Sequence, residues 1–276
     1  MMTHHKDHWF YTLFGSLFVL GFILLLLPFG YDAWLKHRNQ QAVVAYEQHQ
    51  AKQSPKTALI QQYNRRIEAE QLGGPLPESV KIGQIHANLR TPLGYIDIPA
   101  VNVDKTLIYY GDSEWALNHG AGTMPHTSLP AGGKDTLAVV TGYSGLANRI
   151  VFDNIRYLKN GDVFYLNTFG TRKAYRVYTR KVVDPDDKQA LKAVYVQPGK
   201  DRVVLLTCTP LFINTDRLLV YGERIALKAA AHTPTHRRDL FRLDHIWVAV
   251  VLLFMVMLVA IFIWQQRRRE GARHEK

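Results

Sequence analysis

Cysteine is nearly missing from this chain: among 276 residues there is one, Cys208. A lone thiol makes no internal disulfide, so it serves packing, metal ligation or reaction. Also missing are internal repeats, low-complexity tracts, a Gly-rich phosphate loop after a strand and an HExxH pair. No RNP, zinc-finger or helix-turn-helix pattern occurs. Nucleic acid is therefore not the expected partner, although 34 Lys and Arg against 23 Asp and Glu give a formal charge of +11. A basic domain beside anionic lipid and wall polymer accounts for that excess. The acidic group Asp184, Asp186 and Asp187 reads as a helix start, and His4, His5 and His8 as a tract at a membrane surface. No metal and no cofactor are expected.

Long hydrophobic runs are present, and there are two. Residues 9–27 and 246–264 each lack charge over the length that a roughly 30 Å hydrocarbon core requires. Trp9, Trp34, Trp247 and Trp264 lie at or near their ends, as interfacial aromatics do. No small-residue cleavage site follows Leu27, so the first run reads as a retained anchor rather than a signal peptide. Arg267, Arg268, Arg269, Arg273 and Lys276 mark the C-terminal tail as cytoplasmic. Two spans then leave both termini inside and residues 31–245 outside. The expected organisation is an anchor at 1–30, a helical stalk and connecting segment at 31–89, a body at 90–226, a linker at 227–245, a second span at 246–264 and a basic tail at 265–276. An exported body of this size can bury a sufficient core without disulfides, which suits the surface of a Gram-positive cell.

Within the outer part, residues 31–71 read as helix with a break at Ser54-Pro55, and Gly73-Gly74-Pro75-Leu76-Pro77 punctuates the chain. Strand-like runs follow at 93–98, 106–110, 136–141, 162–168, 174–183, 202–208 and 217–225. Asn160-Gly161-Asp162 and Phe169-Gly170-Thr171 are turn signals, the second closing a hairpin. Short helices are expected at 146–158 and after Pro185. Many short strands with few helices argue for a mainly β fold, a closed barrel or a sandwich. Cys208 ends the apolar run Val203-Val204-Leu205-Leu206-Thr207-Cys208, which puts the sulfur at the rim of a buried strand, rigid yet reachable.

Five segments stand in an order that resembles one family. They are Gly94-Tyr95-Ile96-Asp97-Ile98-Pro99, His119-Gly120-Ala121-Gly122, Thr127-Ser128-Leu129-Pro130-Ala131-Gly132-Gly133, Leu205-Leu206-Thr207-Cys208-Thr209-Pro210 and Asn214-Thr215-Asp216-Arg217-Leu218-Leu219-Val220. Over residues 90–226 the chain is similar to sortases, in particular the class C, pilus-building branch. The resemblance implies an eight-stranded β-barrel with short helices, here with an N-terminal helical segment and a transmembrane helix at each end. It implies a cysteine transpeptidase that cleaves an LPXTG-like sorting signal between Thr and Gly. The acyl group then passes to an amine, a pilin lysine or a cell-wall precursor. Cys208 would be the nucleophile and Arg217 the oxyanion or substrate support, with Thr207 shaping the site. A thiol of ordinary pKa ~8.5 is only a few per cent thiolate at neutral pH, so a nearby cation helps.

The family's third residue, a histidine, falls where this chain has Tyr143, in Val140-Thr141-Gly142-Tyr143-Ser144-Gly145-Leu146, and Ser144 stands in place of the usual arginine. A phenol can donate a hydrogen bond but cannot carry an imidazolium's charge. Three consequences compete: a slowed transpeptidase, compensation by His119 or His126 (or the earlier His86), and a catalytically inactive module that binds sorting signals or organises pilus assembly. The Asp-Pro-aromatic lid of class C enzymes has no counterpart between Gln71 and Asn88.

Overall fold

The computed structural model describes residues 4–50, 56–144, 152–187, 189–211, 213–235, 237–238 and 243–274. They form two compact units, one from residues 1–38 with 242–276, the other from residues 39–241. The expected break at Ser54-Pro55, and the first half of the helix expected at 146–158, lie outside the described residues.

The larger unit is built on eight strands: β1 (Gly94–Ile98), β2 (Val103–Ile108), β3 (Gly122–Thr123), β4 (Thr136–Thr141), β5 (Val163–Thr168), β6 (Thr171–Val183), β7 (Asp201–Thr209) and β8 (Asp216–Ile225). Their order in the sheet is β2-β1-β5-β6-β8-β7-β4-β3. All neighbours run antiparallel except β4 and β7, which are parallel. The two outer strands meet through a parallel bridge between Ile108 and Ala121, so the sheet curls into a nearly closed barrel. The Phe169-Gly170 turn joins β5 to β6 with both residues at positive φ, 51° and 71°, as the tightest hairpins require. The two-residue β3 and a short helix α4 (Glu114–His119), capped by Ser113 Oγ, were not among the expected elements.

Alternation along the central strands separates two apolar layers. Ala138, Val140, Val203, Leu205, Leu218 and Val220 point inward to a core shared with Ile96, Ile98, Phe164, Leu166 and Tyr175. Gly222 continues that inner row, and any side chain there would strike the Phe164 ring, 2.5 Å from where its Cβ would stand. Leu137, Val139, Val204, Leu219 and Tyr221 point outward, beneath Val194 and Val196 of the β6–β7 connection.

The helical segments of this unit are docked on the barrel. Helix α1 is continuous over His4–Gln50, and its last turns bury Val43 and Tyr46 against Tyr95, Leu107 and Tyr109. Tyr46 donates to the Leu93 carbonyl at 3.0 Å. Helix α2 (Thr57–Leu72) exchanges two hydrogen bonds with Leu129 through Asn64, and its Ile60 packs with Val80 and with Ile85 of the short helix α3 (Ile82–Ile85). After β8 the chain turns through α5 (Leu227–Ala231), and Arg238 is fastened to the barrel. Its backbone N–H donates to the Ala100 carbonyl and its guanidinium pairs with Asp162, both side chains largely buried.

The smaller unit holds the N-terminal part of α1 and helix α6 (Leu243–His274), which touch where Gly21 faces Met255. Among the described residues no helix is long and apolar enough to cross a membrane. The spans expected over 9–27 and 246–264 are therefore not borne out.

At the barrel pole where β7 starts, a polar cluster is buried. Lys173 Nζ donates to the carbonyls of Thr168 and Thr171, and Tyr175 donates to Asp201 at 3.1 Å. Burial, reinforced by Arg224, lowers the Lys173 pKa to about 8. The folded chain thus releases this proton earlier than the unfolded chain does. Below about pH 8 both states are protonated and the desolvation penalty is fully present; above it, stability rises with pH until the unfolded lysine titrates near 10.5. Urea unfolding should show stability increasing by about 1 kcal/mol from pH 7.5 to 9, below the range where tyrosines of ordinary pKa ~10 ionise. The Lys173→Met variant should flatten that rise.

Candidate active site

The register of three strands lays out the site. On the outer face, Val139, Val204 and Tyr221 form one row across β4, β7 and β8, and Thr141, Leu206 and Leu219 form the next. One step further, Cys208 stands directly opposite Arg217 in the antiparallel β7–β8 ladder. Opposed residues of such a pair have Cβ atoms about 5 Å apart and share a face, so Cys208 and Arg217 are cross-strand neighbours. On the other side, Tyr143 lies two residues past Thr141, the last β4 residue paired with β7. The same count puts it level with Cys208. Val183 of β6, opposite Arg217, completes the row.

All three polar members are half-buried. Arg217 Nη1 donates to the carbonyls of Asn214 and Asp216, at 3.0 and 3.1 Å, which fixes the guanidinium beside the β7–β8 turn. An arginine held in this way presents its other N–H groups as preorganised donors to a developing oxyanion or a peptide carbonyl. Thr207, by contrast, sits on the inner face, 1% exposed, and its hydroxyl donates to the Gly142 carbonyl at 2.8 Å. Its structural contribution is to tie β7 to the turn that carries Tyr143. Tyr221, two rows below Arg217, is pushed up to about 12 by burial and donates to the Ala193 carbonyl, so it stays protonated at the floor of the face.

The histidines are engaged elsewhere. His119 stacks on Trp115 at 4.2 Å between centroids and hydrogen-bonds the Trp115 carbonyl. His126 is exposed, at φ 57°, and its carbonyl accepts from Gln71. His86 hydrogen-bonds Thr91. None of these bonds leads to the Cys208 row. Among the described residues there is no cluster of His, Cys, Asp or Glu able to hold a metal. Ser144 escaped the sequence reading as a site residue: its hydroxyl donates to the Cys208 carbonyl at 2.8 Å. Its only signal in the sequence was a small hydroxyl where the resembled family carries an arginine.

A Sortase domain model matches residues 96–225. The crystal structure of Clostridium perfringens sortase C with the C-terminal cell wall sorting motif is 37% identical, with a TM-score of 0.59, over 67% of this chain and 98% of that one. The chain belongs to the sortase family. The pilus-related sortase C of group B Streptococcus is similar at 35% identity and TM-score 0.57, over 67% of this chain and 97% of that structure. Bacillus anthracis sortase A is 27% identical over 218 residues, 77% of this chain and 93% of that protein. Sortase homologues are cysteine transpeptidases, and the structural neighbours of this sortase are class C enzymes.

The Thr207 bond has a measurable weight. Thr207→Val keeps the shape but leaves the buried Gly142 carbonyl without this donor. Urea titration should show a loss of about 1–3 kcal/mol. A loss below 0.5 kcal/mol would mean that the bond does not hold the turn.

Proposed function

We propose that this sortase is a pilus-type, class C transpeptidase acting on an LPXTG-like sorting signal. The observation that carries the reading is the ladder pairing of the sole thiol with Arg217, on an outer face lined by apolar side chains. The thiolate of Cys208 attacks the carbonyl carbon of the signal's threonine. Arg217 donates N–H bonds to the oxyanion of the tetrahedral intermediate. The Thr–Gly C–N bond breaks, the departing glycine amine takes up a proton, and a thioester remains on Cys208. A second amine, from a pilin lysine, attacks the thioester; its proton is lost, the amide forms and the thiol is regenerated. That the solved C. perfringens sortase C was obtained with a cell wall sorting motif supports this substrate class.

Tyr143 stands where the resemblance expects the acid. A phenol can donate a hydrogen bond but carries no imidazolium charge, so the departing amine is protonated slowly. Turnover is correspondingly slow. The competing reading, a silent module that binds sorting signals, draws on this same residue.

The two helices of the smaller unit are proposed as membrane anchors that hold the larger unit outside the cell. Their sequences carry charge-free runs, and apolar side chains such as Leu20, Phe22, Leu253 and Val256 are exposed by 52%, 51%, 73% and 65%. Contiguous apolar exposure of this extent calls for a lipid or protein partner. The Arg267–Arg269 tail supports a cytoplasmic C-terminus.

Incubating the detergent-solubilised full chain with an LPXTG-type peptide should give a thioester adduct by intact mass, absent in Cys208→Ala. Binding without an adduct, even after long incubation, would sink the transpeptidase reading in favour of the silent module. Tyr143→His should accelerate turnover at least tenfold, within the ~10²–10⁴-fold that acid–base help contributes. An unchanged rate would show that proton delivery is not limiting.

A further inference from the structure

Three hydrogen bonds enclose Tyr143, all of them made by its neighbours or its backbone. Thr207 Oγ1 donates to the Gly142 carbonyl and Ser144 Oγ donates to the Cys208 carbonyl, each at 2.8 Å. The buried Phe152 donates its N–H to the Tyr143 carbonyl at 3.1 Å. The ordinary ladder between β4 and β7 ends just before, with the Gly142 N–H on the Leu206 carbonyl at 3.1 Å. Beyond that point the two chains diverge unless something else pairs their backbones. Two hydroxyls do so from opposite strands: Thr207 reaches to 142, and Ser144 reaches to 208.

Of these bonds, only that of Ser144 ends on the residue bearing the thiol. Ser144 is 5% exposed, so water competes poorly for its partner. On the β8 side Cys208 is held by the antiparallel ladder. On the β4 side, where backbone pairing has stopped, Ser144 supplies the contact.

We infer that Ser144 is a positioning residue for thioester formation. Its hydroxyl fixes the main chain of Cys208, and with it the placing of Sγ relative to Tyr143 and Arg217. The inference rests on Cys208 being the nucleophile and names what holds that nucleophile in line. A misplacement of about 1 Å can cost ~10²-fold in rate, so a single short donor on this carbonyl has leverage on the chemical step. It has little on peptide binding, since the buried hydroxyl is engaged by the Cys208 carbonyl. Serine suits the position because its side chain is short enough to bridge turn and strand with one hydroxyl.

The test compares Ser144→Thr with Ser144→Val, side chains of one shape that differ in the hydroxyl, and adds Ser144→Ala in case valine does not fold. Thioester formation by the detergent-solubilised full chain is followed in single turnover by intact mass, over a range of LPXTG-type peptide concentrations. The rate at saturating peptide should fall about tenfold or more in the valine and alanine variants and stay within about threefold of the parent in the threonine variant. The half-saturating concentration should move less than twofold in all three. Equal saturated rates in the threonine and valine variants overturn the inference, and so does a change confined to half-saturation. A parent that forms no adduct overturns the nucleophile reading itself and the positioning role with it, a result visible before any variant is compared.

Discussion

Strand β7 is paired on both edges, parallel to β4 and antiparallel to β8, and this double pairing sets everything else about the site. A strand's side chains alternate between faces, so a slip of one residue would exchange inside for outside. Val203 and Leu205 would leave the core, while Val204 and Leu206 would enter it. Both faces of β7 are packed, one against the barrel interior and one beneath the β6–β7 connection, so the register is fixed from two sides. Cys208 inherits its outward aim and its opposition to Arg217 from that lock. The apolar rows below the thiol are thus the origin of its geometry as well as of the barrel's stability.

Much of this was legible in the chain, because the central strands are long and strongly apolar. The runs at 136–141, 202–208 and 217–225 coincide closely with β4, β7 and β8, and the Phe169-Gly170 turn announced the β5–β6 hairpin. β3 was not legible, since two residues leave no periodicity to read. Helix α4 was hidden for a similar reason: it is a single turn and a half that relies on the Ser113 cap and on Trp115, which stacks on His119 and meets Tyr109 edge-on. That stacking also explains why a histidine that looked available in the sequence is occupied in the fold.

The docking of residues 39–50 and 57–72 shows a different limit. Their surfaces are mixed, with Gln, Glu and Arg among the apolar positions, and read as stalk. Besides the buried Val43, Tyr46 and Ile60, what attaches them is a few polar groups reaching past the helix surface: Tyr46 to Leu93, Asn64 to Leu129, Gln71 to His126. Hydrogen bonds between residues roughly 50 to 65 positions apart leave no trace in local pattern. The Ser144–Cys208 bond is of the same kind, joining residues far apart in the chain through a side chain that composition treats as ordinary loop material.

The division of β7 into an inner and an outer face has an evolutionary side. Residues of the barrel interior and the row of Cys208 and Arg217 sit on opposite sides of the same backbone. An exchange at position 143 or 217 therefore leaves the inner packing of Val203, Leu205 and Val220 untouched. Side chains of that row can change while the contacts that close the barrel interior stay as they are.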